Sequence, residues 1–301
     1  MKKFKAWEDL TITDDFMFSQ VMKDEEICKE VVEIILGIKV GKIEFLTSQH
    51  EIEINPEAKS ITLDVYLRDE KKVINVELQN GHRLELPKRS RFYQAAADID
   101  NTQPGGTYSQ MKDNYVIFIC TFDPFLQGKA FYRFENFCLD CNPPLPLKDG
   151  TYKLFLNTMA DDLTLLDPEL KLFYDYIRRG TADSPLTGKI ENSINELKEN
   201  REVRRKYMTY TTRIAEAKSE AFEDGFSAGE EHGFSLGRNE GIAIGEERGI
   251  TIGRNEGISL GITQGAYQKA VETAKSMKSE NMSVSLIAHF TGLSVEEIEK
   301  L

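Results

Sequence analysis

Residues 61–80 read ITLDVYLRDEKKVINVELQN. Both halves alternate apolar and polar side chains, the pattern of half-buried strands, and the charged Arg68–Lys72 stretch between them reads as a turn. With the turn at Glu70-Lys71, opposed residues sum to 141, and Asp64 faces Glu77 across the hairpin at a Cβ separation of roughly 5 Å. One face then carries Ile61, Leu63, Val65 and Leu67 against Ile74, Val76 and Leu78; the other carries Asp64, Glu77 and Gln79. Two carboxylates at that distance destabilise a sheet. Solvent screens them, one of them takes a proton, or a divalent cation bridges them. Hard oxygen ligands suit Mg²⁺, which binds through one or two carboxylates and completes its shell with water and phosphate. Such an ion activates water for attack on a phosphodiester. A solvated polar face remains the competing reading of the same spacing.

Outward from the hairpin, Thr13-Asp14-Asp15 precedes an apolar-periodic stretch that ends at Gly37, which predicts one or two helices over 14–36. Ile43–Ile54 reads as a strand broken by Pro56, Leu84–Ile99 as a helix with Pro87 in its first turn, and Gln103–Gly106 as a loop. Tyr115–Phe122 reads as a buried strand. Ala130–Phe137 and Tyr152–Asn157 form a predicted hairpin, and Asp167-Pro168 opens a further helix. The order is helix, three strands, helix, strand.

Composition narrows the classes. The 301 residues hold one large domain with appendages or two modest ones. No run approaches the ~20 apolar residues of a membrane span, and the basic N-terminus lacks the apolar run of a signal peptide. Four cysteines suit a reducing cytoplasm. Cys138-Leu-Asp-Cys141 has half the spacing of a zinc site without a completing pair. A net charge of −12 argues against a nucleic-acid coat protein, although His82, Arg83, Lys88, Arg89 and Arg91 make one local basic patch. No phosphate-binding GxxxxGK[ST] loop or His-x-x-x-His pair occurs.

Eleven glycines recur at every fourth position from Gly225 to Gly265. Each costs a helix roughly 1 kcal/mol relative to alanine, and a four-residue period drifts about 40° per step on an α-helix. The intervening triplets alternate apolar (Ile242-Ala-Ile244) and polar (Glu246-Glu-Arg248), so no clean amphipathic face results. A helix packed closely on a partner, a flexible spacer and an irregular β coil all fit. The helical flanks favour the helix.

The chain resembles the Rpn family of recombination-promoting nucleases and transposases, in the PD-(D/E)xK superfamily. The resemblance is carried by Asp14-Asp15-Phe16-Met17-Phe18, Leu63-Asp64-Val65, Asn75-Val76-Glu77-Leu78-Gln79, Arg89-Ser90-Arg91-Phe92-Tyr93, Tyr115-Val116-Ile117-Phe118-Ile119, the glycine tail and Thr291–Ile298. It implies an α/β restriction-endonuclease-like core, αβββαβ with a mixed sheet flanked by helices, and an α-helical C-terminal extension. The expected division is a nuclease-like domain over 1–165, a helical extension over 166–224, the glycine repeat over 225–265 and a helix-turn-helix-like end over 266–301. The implied activity is Mg²⁺- or Mn²⁺-dependent DNA cleavage, with Asp64 and Glu77 as metal ligands and Gln79 where the superfamily has lysine. Lys88, Arg89 and Arg91 are expected on DNA, with Tyr93, Gln94 and Asp15 in support. DNA and further copies of the chain, joined through the C-terminal helices, are the expected partners. The rival expectation is a non-catalytic DNA-binding or assembly protein that keeps the fold with a degraded site.

Overall fold

The apolar run behind Thr13 folds as two helices, α1 (Asp15–Val21) and α2 (Glu25–Leu36). The Asp24 carboxylate accepts from the Ile27 N–H (3.0 Å) and caps α2, and Gly37 ends it in the left-handed region at φ 65°. Ile27, Val31, Ile35 and their neighbours form one buried stripe. These features belong to a computed structural model that describes residues 4–52, 61–81, 84–102 and 105–301. Pro56, His82, Arg83 and Gln103-Pro104 of the sequence reading lie outside the described residues.

Six strands make the main sheet. They are β1 (Phe45–Ile52), β2 (Ile61–Arg68), β3 (Lys72–Gln79), β4 (Asp113–Cys120), β5 (Phe131–Phe134) and, after a two-stranded excursion β6 (Phe137–Cys138) and β7 (Leu145–Pro146), β8 (Thr151–Asn157). Their order is β1-β2-β3-β4-β8-β5. The first three pair antiparallel, β3/β4 and β4/β8 pair parallel, and β5 returns antiparallel on β8. The parallel β3/β4 pair requires a crossover, and helix α3 (Leu86–Asn101) supplies it with Pro87 in its first turn. This mixed sheet flanked by helices is the α/β core expected from the order of elements.

Both faces of the sheet are covered. Val65, Leu67, Ile74, Val76, Ile117 and Ile119 join one apolar cluster with α1 and α2; Tyr66, Val73, Val116, Phe118 and Phe155 join another beneath α3. Coverage on both sides explains why β4 reads as a continuous apolar run. Leu63 departs from the predicted face. It joins the α3 cluster at the point where β2 and β3 have stopped pairing. Helices α4 (Pro168–Arg179) and α5 (Pro185–Glu199), read from the sequence as lying beyond the 1–165 domain, insert Phe173, Tyr174, Ile190 and Ile194 into the first cluster.

The β2–β3 turn is held by Asp69, whose buried carboxylate accepts from the N–H groups of Lys71 (2.8 Å), Lys72 (2.6 Å) and Gly41 (2.9 Å). A Cβ on Gly41 would stand 3.3 Å from the Asp69 Oδ2, so a side chain there would press on the carboxylate that holds the turn.

Helix α6 spans Arg201–Ser279, and the chain divides into compact units at Ile214. In the second unit α6 continues to Ser279 and is followed by α7 (Val284–Thr291) and α8 (Val295–Glu299). Ala274, Ile287, Leu293 and Ile298 form their small core. All eleven repeat glycines are helical, and a Cβ on any of them would meet nothing within 4 Å.

Candidate metal-binding active site

The β2/β3 ladder runs from Arg68↔Val73 to Val65↔Val76, the predicted register. Beyond Val65 the backbone ladder opens and carboxylates take its place. Glu77 Oε1 accepts from the Asp64 N–H (3.1 Å), and Asp64 Oδ2 accepts from the Leu78 N–H (3.2 Å). Each acid is therefore anchored on the opposite strand, and these two bonds bring the pair together where the ladder opens.

This face is not the solvated one that the alternation also allowed. Glu77 is only 2% exposed, Gln79 7%, and α3 lies over them. Burial raises the Glu77 carboxyl well above the usual carboxylate range, and the Asp64 charge raises it further. Hydrogen bonds from the Asp64 N–H and the Asn75 amide (3.1 Å), together with the Arg89 charge, act in the opposite direction.

Arg89 reaches into the site from α3. One guanidinium nitrogen donates to Gln79 Oε1 (3.1 Å); another donates to the Tyr93 hydroxyl (2.6 Å) and stands 3.5 Å from Glu77 Oε2. The same guanidinium lies over the Tyr93 and Phe118 rings, at 5.2 and 5.8 Å. Of the three cations grouped together from sequence, only Arg89 enters; Lys88 and Arg91 are exposed. Tyr93 stands at the site. Gln94, expected beside it, does not: it bonds Asn114 on β4 through both its amide nitrogen (3.2 Å) and its backbone carbonyl (2.9 Å). One residue is a 100° rotation on a helix, which turns Gln94 from the cleft onto the sheet.

Asp15, the other expected supporting group, enters from the start of α1. Its carboxylate accepts from the Asn80 amide (3.1 Å), which also donates to the Thr13 carbonyl. Asp14 takes the cap position, but its carboxylate bonds the Thr11 N–H (2.8 Å) instead of the helix. The result is a cleft of about 220 Å³ lined by Asp15, Asp64, Glu77, Gln79, Arg89 and Tyr93 among others.

Sequence reasoning missed Asn75 and Asn80. Asn75 was legible, since it stands two residues before Glu77 on the same strand face. Asn80 lies past the strand end, where the period gives no direction.

Among the described residues no group of three or more His, Cys, Asp or Glu could hold a metal ion. Cys138 and Cys141, with sulfurs 3.7 Å apart on the surface, form only a pair. The donor set in the cleft is two carboxylates, one buried against the other's charge with its affinity for a proton raised. That set fits a hard divalent cation which takes its remaining ligands from water and phosphate.

Residues 14–141 match the family model described as PD-(D/E)XK nuclease family transposase. No curated protein and no solved structure matches the chain.

Proposed function

We propose that this chain, whose residues 14–141 belong to the PD-(D/E)XK nuclease superfamily, is a metal-dependent DNA endonuclease of the recombination-promoting, transposase-like kind. The observation that carries the reading is the opposition of Asp64 and Glu77 where the β2/β3 ladder opens, with the Arg89 guanidinium bonded to the Gln79 that follows them.

Asp64 and Glu77 would hold Mg²⁺ or Mn²⁺. Bound there, the ion supplies an activated water and stabilises charge developing on the phosphate. Asn75 and the Asp64 N–H fix the orientation of the Glu77 carboxylate. Gln79 has no charge of its own, but its oxygen holds Arg89, and the guanidinium places at the cleft the cation that lysine supplies elsewhere in the superfamily. Lys88 and Arg91, exposed on the same helix, are suited to flanking phosphates. Nicking of supercoiled plasmid with and without Mg²⁺ tests the reading. The wild type should nick only with the metal, and Asp64→Ala and Glu77→Ala should each abolish nicking while remaining folded. Wild-type nicking by both variants sinks the metal site.

Gln79 in the lysine position supports one other reading, a DNA-binding protein with a degraded site. Duplex binding without any nicking by the wild type would select it.

The glycine tail is assigned to self-association. Eleven glycines weaken α6, and Phe234, Ile250 and Ile262 stand exposed along it. A second copy would cover both. Deleting 225–265 should lower the oligomeric state and leave nicking per folded domain intact; an unchanged oligomer makes the stretch a spacer. Among the described residues no helix is long and apolar enough to cross a membrane. A reducing cytoplasm suits cysteines that are all free thiols.

A further inference from the structure

The first turns of α6 carry charge opposite in sign to the chain as a whole. Residues 201–213 hold five basic side chains and one acid, in a chain of net charge −12. Val203 and Tyr207 are buried and Tyr210 half-buried, spaced by four and three residues, so they form the stripe by which this end of the helix docks. The Tyr207 and Tyr210 rings lie 5.3 and 5.5 Å from Phe16, and the Tyr207 hydroxyl donates to the Lys5 carbonyl (2.8 Å). Phe16 follows Asp15, which lines the cleft. The Tyr210 hydroxyl is raised by burial and then by the charges of Asp15 and Asp64, so this part of α6 runs beside the acidic site.

One flank of the docking stripe is basic. Lys206 and Arg213 are seven residues apart, which on a helix leaves them within about 20° of each other, with Tyr210 between them. Lys23, after the end of α1, belongs to the same neighbourhood: burial and then the Lys206 charge depress its ammonium. Two cations held close enough to repel are relieved by an anion. The Lys206–Glu202 ion pair (3.1 Å) is exposed and of little weight against a polyanion. Arg213 is exposed and makes no ion pair among the described residues.

We propose that Lys23, Lys206 and Arg213 form a phosphate-binding strip that carries one strand of duplex DNA past the Asp64–Glu77 cleft. The strip gives the cleft a second basic wall besides α3. This inference rests on the DNA-nuclease reading and adds to it residues that no motif marks. Duplex DNA is the occupant because the basic flank extends over two helical turns beside a site whose acids suit phosphodiester chemistry, which matches a repeating phosphate charge better than a single carboxylate.

The test is fluorescence anisotropy of the full chain on a labelled duplex, in EDTA so that nothing is cleaved, across a salt series. The triple variant K23Q/K206Q/R213Q removes the three charges and keeps a polar side chain at each position. Its log–log salt slope should be shallower than wild type by about 2.7, since each phosphate neutralised by a cation contributes about 0.9 to the slope. If the triple variant fails to fold, R213Q and K206Q alone should each flatten the slope by about 0.9. A wild-type slope in folded variants, with K88A/R91A still flattening it, overturns the strip and leaves the DNA reading standing. Failure of the wild-type chain to bind duplex at any salt overturns both. Displacement of the duplex by polyglutamate at equal charge concentration overturns DNA as the occupant.

Discussion

The α3-covered face of the sheet and the glycine-rich part of α6 break opposite rules. On the sheet, charged and amide side chains stand where apolar ones belong, and each is tied down: Glu77 by Asn75 and the Asp64 N–H, Gln79 by Arg89, Arg89 by Tyr93. On α6, Phe and Ile side chains stand exposed on a helix interrupted every fourth residue by glycine, with nothing within 4 Å of where a Cβ would be. The first departure is compensated locally except for one excess of negative charge, the excess on which the proposed metal site rests. The second is not compensated among the described residues of its own unit, and the proposal of self-association rests on that. A rule broken and repaired locally points to chemistry; a rule broken and left open points to assembly.

The largest effect expected is at the site. Asp64→Asn keeps an acceptor for the Leu78 N–H but removes one of the two facing charges. Mg²⁺-dependent nicking should fall on the order of 100-fold or more, an oriented charge being worth that much in a water-poor site. The metal-free protein should nevertheless melt higher at pH 8, because the Glu77 carboxyl is relieved of the facing charge. A carboxyl raised by folding stabilises below its usual value of 4.5 and loses that contribution as pH rises through its folded value. The gain should therefore shrink toward pH 5. A lower melting temperature at pH 8 would mean the acids are not in conflict.

Next come Gln79 and Arg89. Gln79→Lys alone sets an ammonium against a guanidinium now 3.1 Å from the Gln79 oxygen, so it should slow nicking, by about 10-fold. Adding Arg89→Gln should restore much of the activity, since the cation has then changed places. A faster single Q79K enzyme would show that Arg89 is not the substitute for lysine.

A smaller effect is expected on α6. In isolated chains, G237A/G245A/G253A should stabilise the helix by roughly 1 kcal/mol per site. If the glycines meet a second copy, the same changes should weaken association, measured by sedimentation against concentration. Stabilisation with unchanged association would assign these three positions to no interface. Smallest of all, K88A/R91A should flatten the salt slope on duplex DNA by about 1 to 2; no change would make these two side chains solvated surface.

Much of the core was legible because strand alternation and register are set by the same period of two. The sum of 141 that placed Asp64 opposite Glu77 needed only an even turn, and Asp69 enforces that turn from within. Alternation does not say what covers a face. The Asp64–Glu77 face read equally as solvated, and only the crossover helix, required by a parallel strand far along the chain, decides it. The same limit hid the difference among Lys88, Arg89 and Arg91: adjacent cations on a helix point 100° apart per residue, and which one points inward depends on how α3 lies on the sheet. Tyr210 was unreadable as a neighbour of the site, since nearly 150 residues separate it from Asp64 and no local pattern joins them.

Asp69, in the turn before β3, and Glu77, near the far end of that strand, answer to pH in opposite senses. Burial would raise the Asp69 carboxyl, but the N–H groups of Gly41, Lys71 and Lys72 and the Lys72 charge outweigh it and hold it below its usual 3.8. Its contribution is present above that value and lost as acid titrates it. Glu77 behaves as the mirror case. The metal-free hairpin should thus lose stability at the turn as pH falls and at the Asp64–Glu77 end as pH rises. A cation between Asp64 and Glu77 would cancel the alkaline weakness and leave the acid one, turning a two-sided pH profile into a one-sided plateau.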